Sequence, residues 1–213
     1  MPLRGMQALL SELYALDLPY DVQDFLLTDA RVAEALDVRG RRLDEKLLIA
    51  EQPGESAVAL YLDEELLSRL RRNDPANRLS EENLADFWTA LEGVSHFVYY
   101  VWNAVLQKSV TLMEMELQAE VDKFVGAALL LQRQDGRFPV NLHHCQFHAS
   151  SFDPQLDASE LARYRSANHY AGRYCLKLAP QLSTADGRQQ LKHELCHFYR
   201  LPQPEKIHHI QAA

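Results

Sequence analysis

The sequence predicts an α+β protein that is predominantly α-helical: a long helical hairpin plus C-terminal helices, with a small N-terminal β-hairpin. Three observations carry this. Residues 80–132 hold two long apolar stripes at helical spacing. Residues 46–50 and 57–62 are strand-like runs around the turn-forming Gln52-Pro53-Gly54-Glu55-Ser56. Beyond residue 157 the pattern returns to the helical period.

In chain order, residues 7–16 place Leu9, Leu10, Leu13 and Leu16 on one helical face, and Pro19 stops that run. Thr28 can cap a second short helix reaching about Leu36. The β-hairpin follows. Two strands alone are marginal, so it must pack on helices or pair elsewhere. Asp63 can cap a helix over 64–72, with acids in its first turn and Arg71 and Arg72 in its last, an order that suits the helix dipole.

Ser80-Glu81-Glu82 opens the first long helix, whose stripe is Leu84, Phe87, Leu91, Val94, Val98, Val101 and Trp102. A second helix follows Ser109, with Met113, Leu117, Val121, Phe124, Ala128 and Leu131 on one face. Their short connection makes them antiparallel neighbours. Residues 138–147 read as irregular or extended. Asp157-Ala158-Ser159-Glu160 resembles a capping box for a helix over 159–178 that Pro180 ends. A last helix covers about 185–200, ended by Pro202. The chain reads as a single domain over 1–213, in which 1–76 could form an N-terminal α/β subdomain against a helical core at 80–200.

Composition narrows the function. A chain of 213 residues, 47% hydrophobic and 24% charged, can bury a core without disulfides or a structural metal. No apolar run approaches the roughly 18–20 residues that cross a bilayer. The first residues lack a signal peptide's apolar stretch, and three scattered cysteines suit a reducing compartment. The expectation is a cytoplasmic protein without membrane contact. A net charge of −8 disfavours binding to nucleic acid, which needs clustered Lys and Arg.

Several motifs could carry chemistry. His193-Glu194-Leu195-Cys196-His197 matches the H-E-x-x-H pattern. Histidines four apart on a helix share a face, so His193 and His197 can both reach one zinc ion, and Glu194 can deprotonate a zinc-bound water. A catalytic zinc also needs a third protein ligand. The only nearby downstream candidates are Glu205, His208 and His209, which would have to fold back across Pro202 and Pro204. A second cluster, His144, Cys145 and His148, lacks the paired spacing of a structural zinc site. It reads as a polar loop around a buried Cys145.

Glu92 and His96 lie four apart on the first long helix, as do Glu116 and Glu120 on the second. Such residues on facing helices can hold two metals in a bundle, but that arrangement wants Glu-x-x-His on two helices. Glu92 and His96 also sit off the apolar stripe, and Glu120 with Lys123 reads as a surface ion pair. Arg163-Tyr164-Arg165-Ser166-Ala167-Asn168-His169 loosely fits the Arg-x(4–6)-His signature of HEPN-type ribonucleases, whereas Arg165 and His169 share a face at the wrong spacing. Arg163 and His169, however, fall about 120° apart at ~100° per residue.

Each catalytic signal is therefore incomplete. The favoured expectation is a non-catalytic interaction or regulatory module that binds a protein partner or a second copy of itself. The aromatic run Phe97 to Trp102 is where an interface would be sought. One alternative is a zinc-dependent hydrolase with His193 and His197 as ligands and Glu194 as base. The other is a helical RNA-processing domain, which would need Arg163, Arg165 and His169 to line a basic groove, and Arg165, Asn168 and His169 form a further candidate polar site. The favoured reading needs no cofactor, and zinc is the cofactor of the hydrolase alternative.

Overall fold

Helix α5 (Leu112–Asp135) runs between two long neighbours, α4 (Leu84–Val105) and α7 (Ala158–Leu182). In the computed structural model, which describes residues 3–36, 44–52, 55–149, 152–182 and 187–212, these three helices form the frame. The stripes foreseen for α4 and α5 point into the core: Phe87, Leu91, Val94 and Val98 of α4 meet Leu117, Val121, Phe124 and Ala128 of α5. Thr111 caps α5 by accepting the Glu114 N–H at 3.0 Å, and Gly136 ends the helix in the left-handed conformation at φ 70°. Gly126 lets α4 approach closely, since a Cβ there would lie 2.9 Å from Leu91 Cδ2.

Around this frame the chain adds short elements. Helix α1 (Leu3–Tyr14) buries Met6, Leu10 and Tyr14 against α4. A 3-10 turn (Val22–Phe25) leads to β1 (Leu26–Leu27), and α2 (Ala30–Leu36) follows. Asp29 rather than Thr28 caps α2, its carboxylate accepting the Arg31 N–H at 2.9 Å. Strands β2 (Glu45–Gln52) and β3 (Glu55–Leu62) pair antiparallel, with Leu47 opposite Leu60 and Ile49 opposite Val58. Helix α3 (Glu64–Arg72) starts at Asp63, which accepts the Glu65 N–H at 2.8 Å.

The sheet is mixed, not a bare hairpin. Its order is β1-β3-β2, with β1 parallel to β3 at Leu26–Leu60 and Leu27–Tyr61. Two residues leave too faint a pattern to read as a strand. Val22, in the turn before strand β1, is fully buried. One face of the sheet, including Leu60, Leu62, Leu47 and Val58, packs on the core beside α4.

The C-terminal third departs furthest from expectation. The capping box is reciprocal: Glu160 N–H donates to Asp157 at 2.8 Å and Asp157 N–H donates to Glu160 at 3.1 Å. Helix α7 nevertheless continues through Pro180. The proline sits in the last turn, where it removes one backbone bond at most, and buried Leu178 and Leu182 hold that turn in place. Residues of the irregular stretch form a short helix, α6 (Leu142–Phe147). After α8 (Gly187–Arg200), Pro202 ends one helix and opens another, α9 (Gln203–Ala212). Pro204 lies in its first turn, where a missing N–H costs nothing.

One apolar cluster takes in Leu3, Met6, Leu60, Phe97, Phe124, Leu195 and Ile210. The aromatic run of α4 belongs to this core: Phe97, Val98, Tyr99 and Val101 are buried within the chain.

Candidate functional site

Four elements bring ionisable side chains together beneath the sheet. Glu92 and His96 come from α4, Glu116, Glu120 and Lys123 from α5, Arg163 from α7 and Glu45 from β2. The His96 side chain is 8% exposed and sits between two carboxylates. Its Nδ1 lies 3.4 Å from Glu45 Oε1, and its Nε2 lies 3.5 Å from Glu116 Oε2. Arg163 Nε approaches the other Glu116 oxygen at 3.7 Å. Lys123 Nζ bridges Glu92 at 2.8 Å and Glu120 at 2.7 Å. Gln146 donates to Glu120 Oε2 at 3.0 Å. The Glu120–Lys123 pair is thus part of a half-buried, three-membered arrangement with Glu92.

A close approach makes the cluster possible. A Cβ on Gly93 would lie 2.7 Å from Glu45 Cγ and 2.9 Å from Leu60 Cδ1. Only glycine lets β2 and β3 settle deep enough on α4 for Glu45 to reach His96.

The electrostatics follow from burial and charge. Burial alone would lower the His96 pKa, but Glu116 and Glu45 outweigh it and hold the ring well above its ordinary 6.5. Burial raises Glu45, and contact with His96 only partly offsets that. Because the folded His96 pKa is raised, its stabilising contribution is complete below pH 6.5 and is lost as pH climbs through the folded value.

The cluster opens into a cleft of about 440 Å³ between the sheet and the N-terminal ends of α5 and α7. Leu47, Ile49 and Val58 line one wall, Leu112, Met115 and Tyr164 the other, and Glu45, His96, Glu116 and Arg163 form the polar floor. Among the described residues, Glu92, His96 and Glu116 are the only group of three metal-ligating side chains whose donor atoms all lie within 4.8 Å of one another.

The H-E-x-x-H segment lies elsewhere, on the outer side of α8. His193 and His197 are exposed and Glu194 is half-buried. Tyr174 OH donates to Glu194 Oε1 at 2.9 Å, and His209 Nε2 lies 2.6 Å from the same oxygen. Helix α9 has folded back across the two prolines. It sets the His209 ring 5.5 Å from that of His197, while Gln181, Gln189, Gln190, His193 and Glu194 line an open hollow beside them. On α7, Arg165 and His169 are exposed and Asn168 is half-buried, whereas Arg163 turns inward to Glu116. The rings of His144, on α6, and His148, just beyond its end, stack at 5.5 Å. Cys145 there is exposed, and the buried cysteine is Cys175.

A second buried polar group centres on Asp122. Its carboxylate accepts Ser95 Oγ at 2.5 Å, Gln118 Nε2 at 2.9 Å and the Tyr14 hydroxyl. Gln118 in turn accepts Lys206 Nζ at 2.7 Å, and the ammonium also bonds the Phe198 carbonyl at 2.9 Å. The rings of Phe198 and Tyr99 lie 4.2 and 5.2 Å from that nitrogen. Lys206 thereby fastens α9 to α5 and α8. Tyr14, Ser95, Gln118, Asp122 and Lys206 are all buried.

Burial lowers the Lys206 pKa to about 7, although Glu114 and Asp122 oppose it. Unfolded lysine takes up its proton near 10.5. The folded protein therefore gains relative stability as pH rises from 7 toward 10 and loses it as pH falls back through that window. Lys206→Met should remove this component. The melting-temperature difference between wild type and variant, followed from pH 7 to 9.5, should shift in favour of wild type as pH rises. A difference independent of pH would show that the amine does not titrate there.

Fold and site define a helical α+β protein with a buried carboxylate–histidine cluster at the floor of a cleft. No family model matches this chain, and no curated protein or solved structure matches it either.

Proposed function

We propose that this chain is a non-catalytic interaction module that takes an extended segment of a partner protein along the outer edge of β2. The observation that carries the reading is the position of the cleft. It touches every residue from Glu45 to Ala50, although successive side chains point to opposite faces. The cleft thus runs along β2, and among the described residues β2 pairs with β3 alone, which leaves its other edge unpaired within the sheet.

An edge strand beside a cleft with apolar walls is an arrangement that strand addition uses. Main-chain bonds give affinity, and pockets for alternate side chains give specificity. Leu36 and Leu112 at the cleft are 59% and 54% exposed, which leaves apolar surface for a partner to cover.

A random peptide library selected on the protein should enrich sequences with apolar residues at every second position. A selected peptide should protect the amides of 45–50 from hydrogen exchange. Ile49→Asp should weaken its binding at least about tenfold, or ~1.4 kcal/mol. Peptides without that periodicity, or protection confined to another surface, would refute the reading.

One observation favours a second reading, the zinc-dependent hydrolase. Helix α9 brings His209 beside Glu194 and His197, although the donor atoms of His193, His197 and His209 do not all lie within 4.8 Å of one another. Bound zinc that disappears in a His193→Ala, His197→Ala variant would support it.

A further inference from the structure

We propose that Glu92, His96 and Glu116 hold one divalent first-row transition-metal ion of the manganese, iron or zinc class. The acidic groups alone would not carry this, since buried carboxylates pair with cations in many proteins. The second observation is His96. Its side chain is 92% buried, being 8% exposed, and its Nε2 has no hydrogen-bond partner. That nitrogen points at Glu116 from 3.5 Å, too far for a good bond but suited to a shared ion between them.

The surroundings are already built as an outer shell. A metal-bound histidine typically gives its other ring N–H to a carboxylate, which fixes the ring and its tautomer. Here Glu45 stands at Nδ1. Lys123 holds Glu92 through Oε2, and Arg163 approaches Glu116 through Oε1, leaving Oε2 turned to the histidine. Lys123 thus holds Glu92 at 2.8 Å, while Glu45 faces His96 at 3.4 Å and Arg163 faces Glu116 at 3.7 Å without a hydrogen bond.

Charge points the same way. Four carboxylates, those of Glu45, Glu92, Glu116 and Glu120, meet two permanent cations, Lys123 and Arg163. Without an ion the protonated His96 supplies the third positive charge, and a dication bound at Nε2 would take the place of that proton. One imidazole with two carboxylates is a mixed donor set, which favours borderline ions over calcium or magnesium. The ion would bind with the cleft empty, so it stands or falls apart from any partner at β2.

The test is calorimetric titration of chelator-stripped protein with Zn²⁺ and with Mn²⁺. One ion per chain should bind, and binding should persist in the His193→Ala, His197→Ala variant, which removes the other histidine pair. His96→Gln and Glu116→Gln should each weaken it by about 100-fold or more, and Glu45→Gln by about tenfold. Should these variants fold poorly, Mn²⁺ added to the wild-type chain decides the matter. Its paramagnetism should broaden the amide resonances of residues 92–96 and 116–120 and spare those of α8. Broadening confined to α8 and α9, binding unchanged in folded His96→Gln, or no binding at millimolar metal would each overturn the proposal.

Discussion

Asp122→Ala is expected to destabilise the protein by about 3–5 kcal/mol, a typical cost of removing one member of a buried charged network. The carboxylate is the common acceptor for Ser95, Gln118 and Tyr14. Alanine removes the acceptor of the buried Ser95 and Tyr14 hydroxyls, while Gln118 keeps the Tyr14 oxygen at 3.1 Å, and each unsatisfied group costs about 1–3 kcal/mol. It also strips Lys206 of a nearby negative charge. For a chain of this length the melting temperature should fall by roughly 10 °C. Asp122→Asn keeps an acceptor and should cost clearly less.

Burial raises the Asp122 pKa to about 6 from an ordinary 3.8. Its ionisation therefore costs stability as pH rises from 4 to 6, and the advantage of the acid over Asn should be largest near pH 4. Thermal denaturation followed by circular dichroism measures both effects. A fall below 1 kcal/mol for Asp122→Ala would mean that water replaces the carboxylate and that the network is not dry.

Gly93→Val is the second large effect. Even a methyl at this position meets Glu45 Cγ at 2.7 Å and Leu60 Cδ1 at 2.9 Å. Glu45 can swing aside. Leu60 cannot do so easily, because it is buried in the core and backed by the sheet. Overpacking of this kind costs about 1–3 kcal/mol, and a branched side chain falls at the upper end.

The local consequence is more telling. The sheet must lift, Glu45 leaves His96, and one of the two carboxylates that hold the imidazole's pKa up is gone. The His96 titration, read from its ring resonances, should move down toward 6.5. Unchanged titration with unchanged stability would show that the sheet does not depend on Gly93.

Much of the frame is legible in the residues themselves. Phe87, Leu91 and Val94 repeat at helical spacing, Asp63 precedes an acidic turn, and Asp157 stands three before Glu160. Each of these signals acts within a few residues, so it survives without knowledge of the rest of the chain. Helix α9 escaped because Pro202 and Pro204 read as a stop. Proline is compatible with a helix's first turn, and what holds α9 down is Lys206 reaching Gln118 on α5.

The site was legible only in pieces. The pairs Glu92 with His96 and Glu116 with Glu120 are visible as spacings, but off the apolar stripe they read as solvated. Helical periodicity identifies one apolar face per helix and assigns the remainder to water. That assignment fails for α5, which has α4 on one side and α7 on the other and buries polar residues as well as apolar ones. Glu45 comes from a strand more than forty residues earlier, and Arg163 from a helix more than forty residues later. No local pattern links either to Glu116.

By itself, then, the sequence determined where α3, α4, α5 and the β2–β3 pair would form, because capping, hydrophobic period and turn chemistry are short-range forces. Tertiary structure decided which charges would be buried together and which would face water. The free energy of a charged group is set by neighbours in space, and only the closed fold brings Glu45, His96, Glu116 and Arg163 within reach of one another.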